Sequence, residues 1–225
     1  MSFQQIQQQY AEQTFSEQLR IYSESEWQKI IQHRFVEQLG EGSLENAVLA
    51  NYLVQDYAFV DGLIRLVCNA IATAPTMAVR HRLANFLSAV TDEENTYFIR
   101  SFSALGLSEQ NYRSPKLNSA AANFDRALLS ASQSGYEYAL TTLLVAEWSY
   151  RTWAIRLRNK NPVHFYHKEW ITLHDNPEFN AFVDWIRSQV DQFSQLPQEK
   201  QQKLAEHFRY ICQLEYQFFE ASYNI

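Results

Sequence analysis

The chain has 225 residues, of which 46% are hydrophobic, enough to bury one sizeable core. It contains only five glycines and five prolines, too few for a turn-dense all-β sandwich or barrel. The net charge is −6 and lysine and arginine form no cluster, which argues against nucleic-acid binding and against a polybasic membrane surface.

The predicted elements are all helices, because apolar residues recur at three- and four-residue spacing between sparse breaks. The first helix is predicted from about residue 4 to Leu39, with an interruption near Ser23 and a stop at Gly40. No segment shows the alternation of a strand, so we predict an all-α chain with one domain over residues 1–225. The remaining predicted helices span about 43–73, 75–105, 118–134, 136–159, 177–193 and 197–223.

The compartment and the two cysteines follow from local context. Every apolar run is broken before the length of about 20 residues that a membrane span needs, and the first residues lack the regions of a secretory signal. We therefore expect a cytoplasmic protein that does not insert into membranes. Cys68 and Cys212 lie in apolar helical segments, so we expect both to be reduced and buried.

Three carboxylates stand alone on apolar helical faces. Asp56, Glu147 and Glu215 each occupy a stripe whose other members, three, four and seven residues away, are almost all apolar or aromatic. A buried carboxylate without a partner is unfavourable, so each needs a cation, a proton, a metal or a ligand. Ion pairs with Arg65, Arg151 and Arg209 are one explanation. A shared ligand site between facing helices is the other.

Two kinds of ligand suit inward carboxylates among aromatic rings. A di-iron or di-manganese centre would use a glutamate followed three residues later by a histidine on each of two helices, and no histidine of this chain fits that spacing. We therefore predict no metal and no other cofactor. A flat heterocycle with an amino group fits better, because a carboxylate pairs with the amine and ring nitrogen while aromatic faces stack on the ring.

Five segments, in the same order along the chain, resemble the TenA/THI-4 (thiaminase II) family. They are Tyr52-Leu-Val-Gln-Asp56-Tyr-Ala-Phe59, Ala104-Leu-Gly-Leu107, Leu143-Leu-Val-Ala-Glu147-Trp-Ser-Tyr150, Glu169-Trp-Ile-Thr-Leu-His174-Asp-Asn-Pro-Glu-Phe179 and Leu214-Glu-Tyr-Gln-Phe-Phe219. The resemblance implies a heme-oxygenase-like helical bundle that forms a homo-dimer or homo-tetramer. It also implies that the substrate is thiamine or one of its degradation products, from which the hydroxymethylpyrimidine part is released or salvaged.

The resemblance assigns roles to individual residues. It implies that Asp56 binds the aminopyrimidine and that Glu215 transfers protons. Phe59, Phe124 and His174 are implied to line the pocket, the two phenylalanines where many members have tyrosine. Tyr52 is added to the pocket from helical spacing, because it lies one turn before Asp56. Ala146 stands in the place of the family's nucleophilic cysteine, and Glu147 follows it. This pattern is similar to the cysteine-less branch, for which the implied reaction is hydrolysis of aminopyrimidine or formylaminopyrimidine.

Without a cysteine, water must attack directly, and our mechanistic hypothesis uses Glu147 or Glu215 as base and then acid, assisted by Tyr150. Cys212 is a minor alternative nucleophile. Glu94 is a secondary site candidate, His174 either lines the pocket or packs at a helix entry, and His164 and His167 are expected in a surface loop. Two other functions remain open: a heme-oxygenase-fold oxidase, metal-dependent or cofactorless, and a non-catalytic protein that binds a heterocycle.

Overall fold

A computed structural model describes all 225 residues, and it contains thirteen α-helices and no strand. This confirms the all-α prediction. The helices are α1 (Phe3–Gln9), α2 (Phe15–Tyr22), α3 (Glu24–Ile31), α4 (Arg34–Glu41), α5 (Asn46–Thr73), α6 (Met77–Ala89), α7 (Asn95–Ala104), α8 (Glu109–Tyr112), α9 (Ser119–Gln133), α10 (Tyr136–Leu157), α11 (Phe165–Leu173), α12 (Pro177–Asp191) and α13 (Gln198–Ala221).

The predicted first helix is wrong in its continuity, because the segment forms four short helices. Ser23 lies between α2 and α3, as expected from the interruption. A further break lies at His33, whose Nδ1 accepts a hydrogen bond from the backbone N–H of Phe35 at 3.1 Å and caps α4. The helix ends not at Gly40 but at Gly42, which has a left-handed φ of +71°.

Gly40 serves close packing instead of a helix end. A Cβ atom added there would lie 2.6 Å from a methyl group of Leu157 at the end of α10. The absence of a side chain therefore lets α4 approach α10 closely.

The segment predicted as a helix over 75–105 forms α6 and α7, joined by a five-residue π-helix, Val90–Glu94. Helix α11 was missed altogether. It begins after His164 and buries His167, which is therefore not in a surface loop as predicted. A second short element, the 3-10 helix Gln192–Gln195, follows α12.

Helix α10 runs through the middle of the bundle. All residues from Ala139 to Arg151 are buried, and α5, α9, α12 and α13 pack around the helix. A helix that is apolar on every side is stable only when other elements cover it completely. This arrangement places the middle of α10 between the apolar faces of α5 and α13.

No helix is both long and apolar enough to cross a lipid bilayer.

Candidate active site

The three carboxylates on apolar stripes converge on one cavity inside the bundle. Asp56 on α5, Glu147 on α10 and Glu215 on α13 keep only 5%, 7% and 2% of their surface exposed. All three line an internal cavity with a volume of about 30 Å³. That volume holds about two water molecules, since one water needs roughly 10–15 Å³ measured in this way.

None of the three acids is neutralised by the arginines that the ion-pair explanation requires. Arg65 pairs with Asp61 on the surface of α5. Arg151 pairs with Asp184 at 2.5 Å, and Arg209 lies 3.9 Å from Glu26. The ion-pair explanation is therefore excluded for these partners, and the three acids line the same cavity instead.

The other walls of the cavity are aromatic and apolar. Trp170 from the missed helix α11 forms part of them, and its buried indole N–H has no hydrogen-bond partner within the protein. The residues that line the cavity beside the three acids are Phe59, Val60, Leu63, Glu94, Ala146, Tyr150, Trp170 and His174. Flat faces next to carboxyl groups are the chemistry that suits an aromatic heterocycle with hydrogen-bonding edges.

Burial keeps protons on the acids. It raises the pKa of Asp56 and of Glu147 well above the ordinary range, and the neighbouring charges of Glu94 and Glu215 raise both further. Burial also raises the pKa of Glu215 to about 8 and that of Glu94 to about 7. Because close carboxylates cannot all ionise cheaply, the group holds several protons near neutral pH.

His174 lines the cavity as a neutral imidazole. Its Nδ1 lies 2.8 Å from the carbonyl oxygen of Trp170 and donates a hydrogen bond to it. Burial lowers the pKa of His174 to about 4, although the bond to Trp170 opposes the shift. The imidazole is therefore neutral, with its proton on Nδ1 and an acceptor lone pair on Nε2. Of the two expected positions, His174 takes the one in the cavity wall.

Two predicted pocket residues lie behind the cavity wall. The Tyr52 hydroxyl is 2.7 Å from the Tyr150 hydroxyl, so the two form a buried hydrogen bond that links α5 to α10. Phe124 packs against Phe59, with ring centroids 4.7 Å apart, and does not line the cavity. Tyr52 and Phe124 therefore support the side chains that face the cavity instead of facing it themselves.

Neither cysteine lies in the cavity wall. Cys212 is fully buried, and burial raises the pKa of its thiol well above the ordinary value. A thiol in this state is a weak nucleophile, because the reactive form is the thiolate. Cys68 is exposed on α5, so its predicted burial is wrong. No group of three or more His, Cys, Asp or Glu side chains has an arrangement that could hold a metal ion.

Residues 22–225 match the TENA/THI-4/PQQC family. The chain belongs to this family. It is similar to proteins described as aminopyrimidine aminohydrolase from Halalkalibacterium halodurans and from Helicobacter pylori. The first is 24% identical over 202 residues, which cover 88% of this chain and 90% of the relative. The second is 26% identical over 209 residues, which cover 90% and 95%.

The fold is shared with solved structures of the family. A TenA homologue from P. horikoshii OT3 superposes with a TM-score of 0.85 at 22% identity, covering 94% of this chain and 99% of that one. The heme-oxygenase-like bundle that the sequence predicted is thereby confirmed.

Two residues of the cavity wall had weaker sequence signals. Trp170 falls inside the segment Glu169 to Phe179 that carries part of the resemblance, but no periodic pattern marked it as inward. Glu94 is a secondary candidate only because helices of the family often carry a glutamate there; its acidic run, Asp92-Glu93-Glu94, is expected to be partly solvated. The π-helix turns Glu94 to the cavity, whereas Glu93 is exposed.

Proposed function

We propose that this protein is a hydrolase of thiamine salvage that acts on aminopyrimidine or formylaminopyrimidine and yields hydroxymethylpyrimidine. One observation carries the proposal: Asp56, Glu147 and Glu215 meet in a single aromatic cavity without a cationic partner. The names of the curated relatives point to the same substrate class.

Asp56 recognises the ring in this proposal. Its raised pKa favours the protonated carboxyl group, which presents one donor and one acceptor. An aminopyrimidine edge offers the complementary pair, an exocyclic amine that donates and a ring nitrogen that accepts. The two groups thus form a bidentate pair without a buried charge, and Phe59 and Tyr150 supply the flanking aromatic faces.

Water is the nucleophile, because Ala146 offers no side-chain nucleophile and Cys212 lies outside the cavity. For aminopyrimidine, the water oxygen bonds to the methylene carbon as the bond from that carbon to the amino nitrogen breaks. The nitrogen keeps the bonding electron pair and takes up a proton. Glu147 and Glu215 lie beside this centre as the groups that exchange protons with water and amine, and Tyr150 assists by hydrogen bonding.

Binding requires the cavity to enlarge, since about 30 Å³ is far less than a substituted pyrimidine occupies. A cleft of about 650 Å³ shares Glu94 and His174 with the cavity. We propose that these two side chains move aside and join the two spaces when substrate binds.

The direct test is turnover by the purified protein. Aminopyrimidine, formylaminopyrimidine and thiamine are supplied separately, and products are identified by chromatography with mass spectrometry. We expect hydroxymethylpyrimidine from aminopyrimidine and slower or no cleavage of thiamine. Metal content is measured on the same preparation. Tight binding of hydroxymethylpyrimidine without turnover of any of the three, or stoichiometric iron or manganese, would contradict the metal-free hydrolase.

Asp56→Leu is expected to weaken the binding of hydroxymethylpyrimidine by about 10- to 100-fold, because the ring loses both hydrogen bonds of the carboxyl group. Asp56→Asn is expected to weaken binding less, since a side-chain amide also presents one donor and one acceptor. Isothermal titration calorimetry measures both. Asp61→Asn, at an exposed acid of the same helix, is the control. Unchanged affinity in the leucine variant would remove Asp56 from the ring site.

The homo-dimer or homo-tetramer is predicted from the family resemblance and the cytoplasmic location from the sequence, and both stay predictions. Light scattering coupled to size-exclusion chromatography determines the assembly.

A further inference from the structure

Glu94 differs from the three acids above in its access to water. It is half-buried, whereas Asp56, Glu147 and Glu215 are buried. Glu94 and His174 are the two residues that line both the internal cavity and the cleft of about 650 Å³. Glu94 therefore stands at the boundary between the acids and the outside of the protein.

The cleft lies between α6 and α7 on one side and α11 and α12 on the other. Side chains in its wall are exposed, among them Asn85, Glu93, Thr172 and Glu178. Arg100 also lines the cleft, and its guanidinium donates two hydrogen bonds, of 2.9 and 3.0 Å, to the carboxylate of Glu169. Water can fill the cleft as far as Glu94, and Arg100 is already engaged elsewhere.

The backbone at this boundary has an unusual form. Val90–Glu94 is a π-helix between two α-helices, and Glu94 is its last residue. Such insertions occur frequently at functional sites, because the extra residue in the turn reorients the side chains that follow. Here Glu93 lines only the cleft, whereas the next residue, Glu94, lines both the cleft and the internal cavity.

We propose that Glu94 is the general base that activates the attacking water, which reaches the site through the cleft. The inference rests on the proposed function and changes one of its steps: the role of base passes from Glu147 or Glu215 to Glu94, and those two acids act only as proton donors. The Glu94 carboxylate takes a proton from water, whose oxygen bonds to the substrate carbon. The electron pair of the breaking C–N bond goes to nitrogen, and a protonated Glu147 or Glu215 supplies the proton that the amine carries away. Glu94 gains one proton from water and Glu147 or Glu215 loses one to the amine, so the number of protons on the acids does not change.

The division of roles agrees with the environments of the acids. Burial raises the pKa of Glu94 to about 7 and that of Glu215 to about 8, and that of Glu147 rises well above the ordinary range. The acid nearest to solvent ionises first and can accept a proton. The enclosed acids keep theirs and can donate.

Chemical rescue tests the inference. Glu94→Ala is expected to lower kcat on aminopyrimidine by about 10²- to 10⁴-fold, the usual contribution of a general base, with little change in affinity for hydroxymethylpyrimidine. Sodium azide, a nucleophile that needs no base, should enter through the cleft and restore turnover. The product is then azidomethylpyrimidine, identified by its mass, and no structural role of Glu94 accounts for it.

Glu93→Ala is the matched control, since Glu93 belongs to the same π-helix and lines only the cleft. We expect its activity to stay near that of the wild type, without rescue by azide. Glu94→Gln keeps the size of the side chain and serves if the alanine variant fails to fold. It should lose turnover and bind hydroxymethylpyrimidine normally.

Three results would overturn the assignment of Glu94: near-wild-type turnover in both Glu94 variants, equal losses at Glu93 and Glu94, or a folded Glu94→Ala protein that azide does not rescue. Each of these presupposes an active wild type. If the wild type itself turns over neither pyrimidine, the proposed function fails, and the two failures are thus told apart.

Discussion

Replacing Glu215 by glutamine is expected to lower kcat on aminopyrimidine by about 10²- to 10⁴-fold. Glutamine has the size of glutamate but cannot take up or release a proton. The carboxyl group it replaces is 2% exposed, has a pKa near 8 and lies in the cavity wall. Loss of its proton removes one of the two buried donors to the amine as the C–N bond breaks.

Glu147→Gln is expected to lower kcat in the same way, so the two variants test whether both buried acids take part in proton transfer. Initial rates at saturating substrate give kcat, and calorimetry with hydroxymethylpyrimidine shows whether the site still binds. Glu12→Gln is the control, because Glu12 is an exposed acid near the N-terminus and does not line the cavity. If both Glu147→Gln and Glu215→Gln turn over substrate like the wild type, neither glutamate transfers the proton.

The second large effect of replacing Glu215 is on the free energy of unfolding. Whereas the replacement lowers activity, it is expected to raise stability. The pKa of Glu215 is about 8 in the folded protein, against an ordinary value of 4.5 that applies once the chain unfolds. Below pH 4.5 both states hold the proton. Between pH 4.5 and 8 the unfolded state releases it while the folded state retains it. Stability therefore falls as the pH rises through this window and levels off above pH 8.

Glu215→Gln removes this loss. At pH 8.5 the variant is expected to be more stable than the wild type by on the order of 5 kcal/mol, because one pKa unit corresponds to about 1.4 kcal/mol. At pH 4.5 the two should be nearly equal. Urea unfolding followed by far-ultraviolet circular dichroism at both pH values gives the difference, and Glu12→Gln should show none. A stability difference that does not change with pH would mean that Glu215 keeps an ordinary pKa in the fold.

The two effects belong together. A buried acid that must hold a proton near neutral pH destabilises the fold that contains it, and its removal trades activity for stability. An inactive but more stable variant is thus the expected signature of a functional carboxyl group. Removal of a carboxyl group with only a structural role would instead make the protein less stable.

Helical spacing alone is enough to find three of the four acids of the cavity; Glu94 is the exception. Asp56, Glu147 and Glu215 were each the single charge in an apolar stripe, and α5, α10 and α13 do turn those stripes towards one another. The same spacing could not tell the cavity wall from the layer behind it. Tyr52 lies on the stripe of Asp56 and is fully buried, but it lies behind the cavity wall. From there its hydroxyl forms a hydrogen bond with that of Tyr150, which is part of the wall.

Other features depend on contacts that no local pattern records. Cys68 has the apolar neighbours Leu66 and Val67, which take the buried positions of α5 and leave the thiol outside. The π-helix at Val90–Glu94 inserts an extra residue into a turn, and a periodic pattern passes over such a change. Trp170 reaches the cavity because a nine-residue helix, too short for a clear period, packs beside α10.

The complete enclosure of α10 has a consequence for how this protein can change. The turns that carry Ala146, Glu147 and Tyr150 are buried and open only to the small cavity that they line, so we expect their amide hydrogens to exchange with solvent only when the bundle opens. The half-exposed π-helix and the rim of the cleft have no such cover. We therefore expect that substrate preference changes through substitutions at the rim of the cleft. The residues of α10 that line the cavity should stay the same.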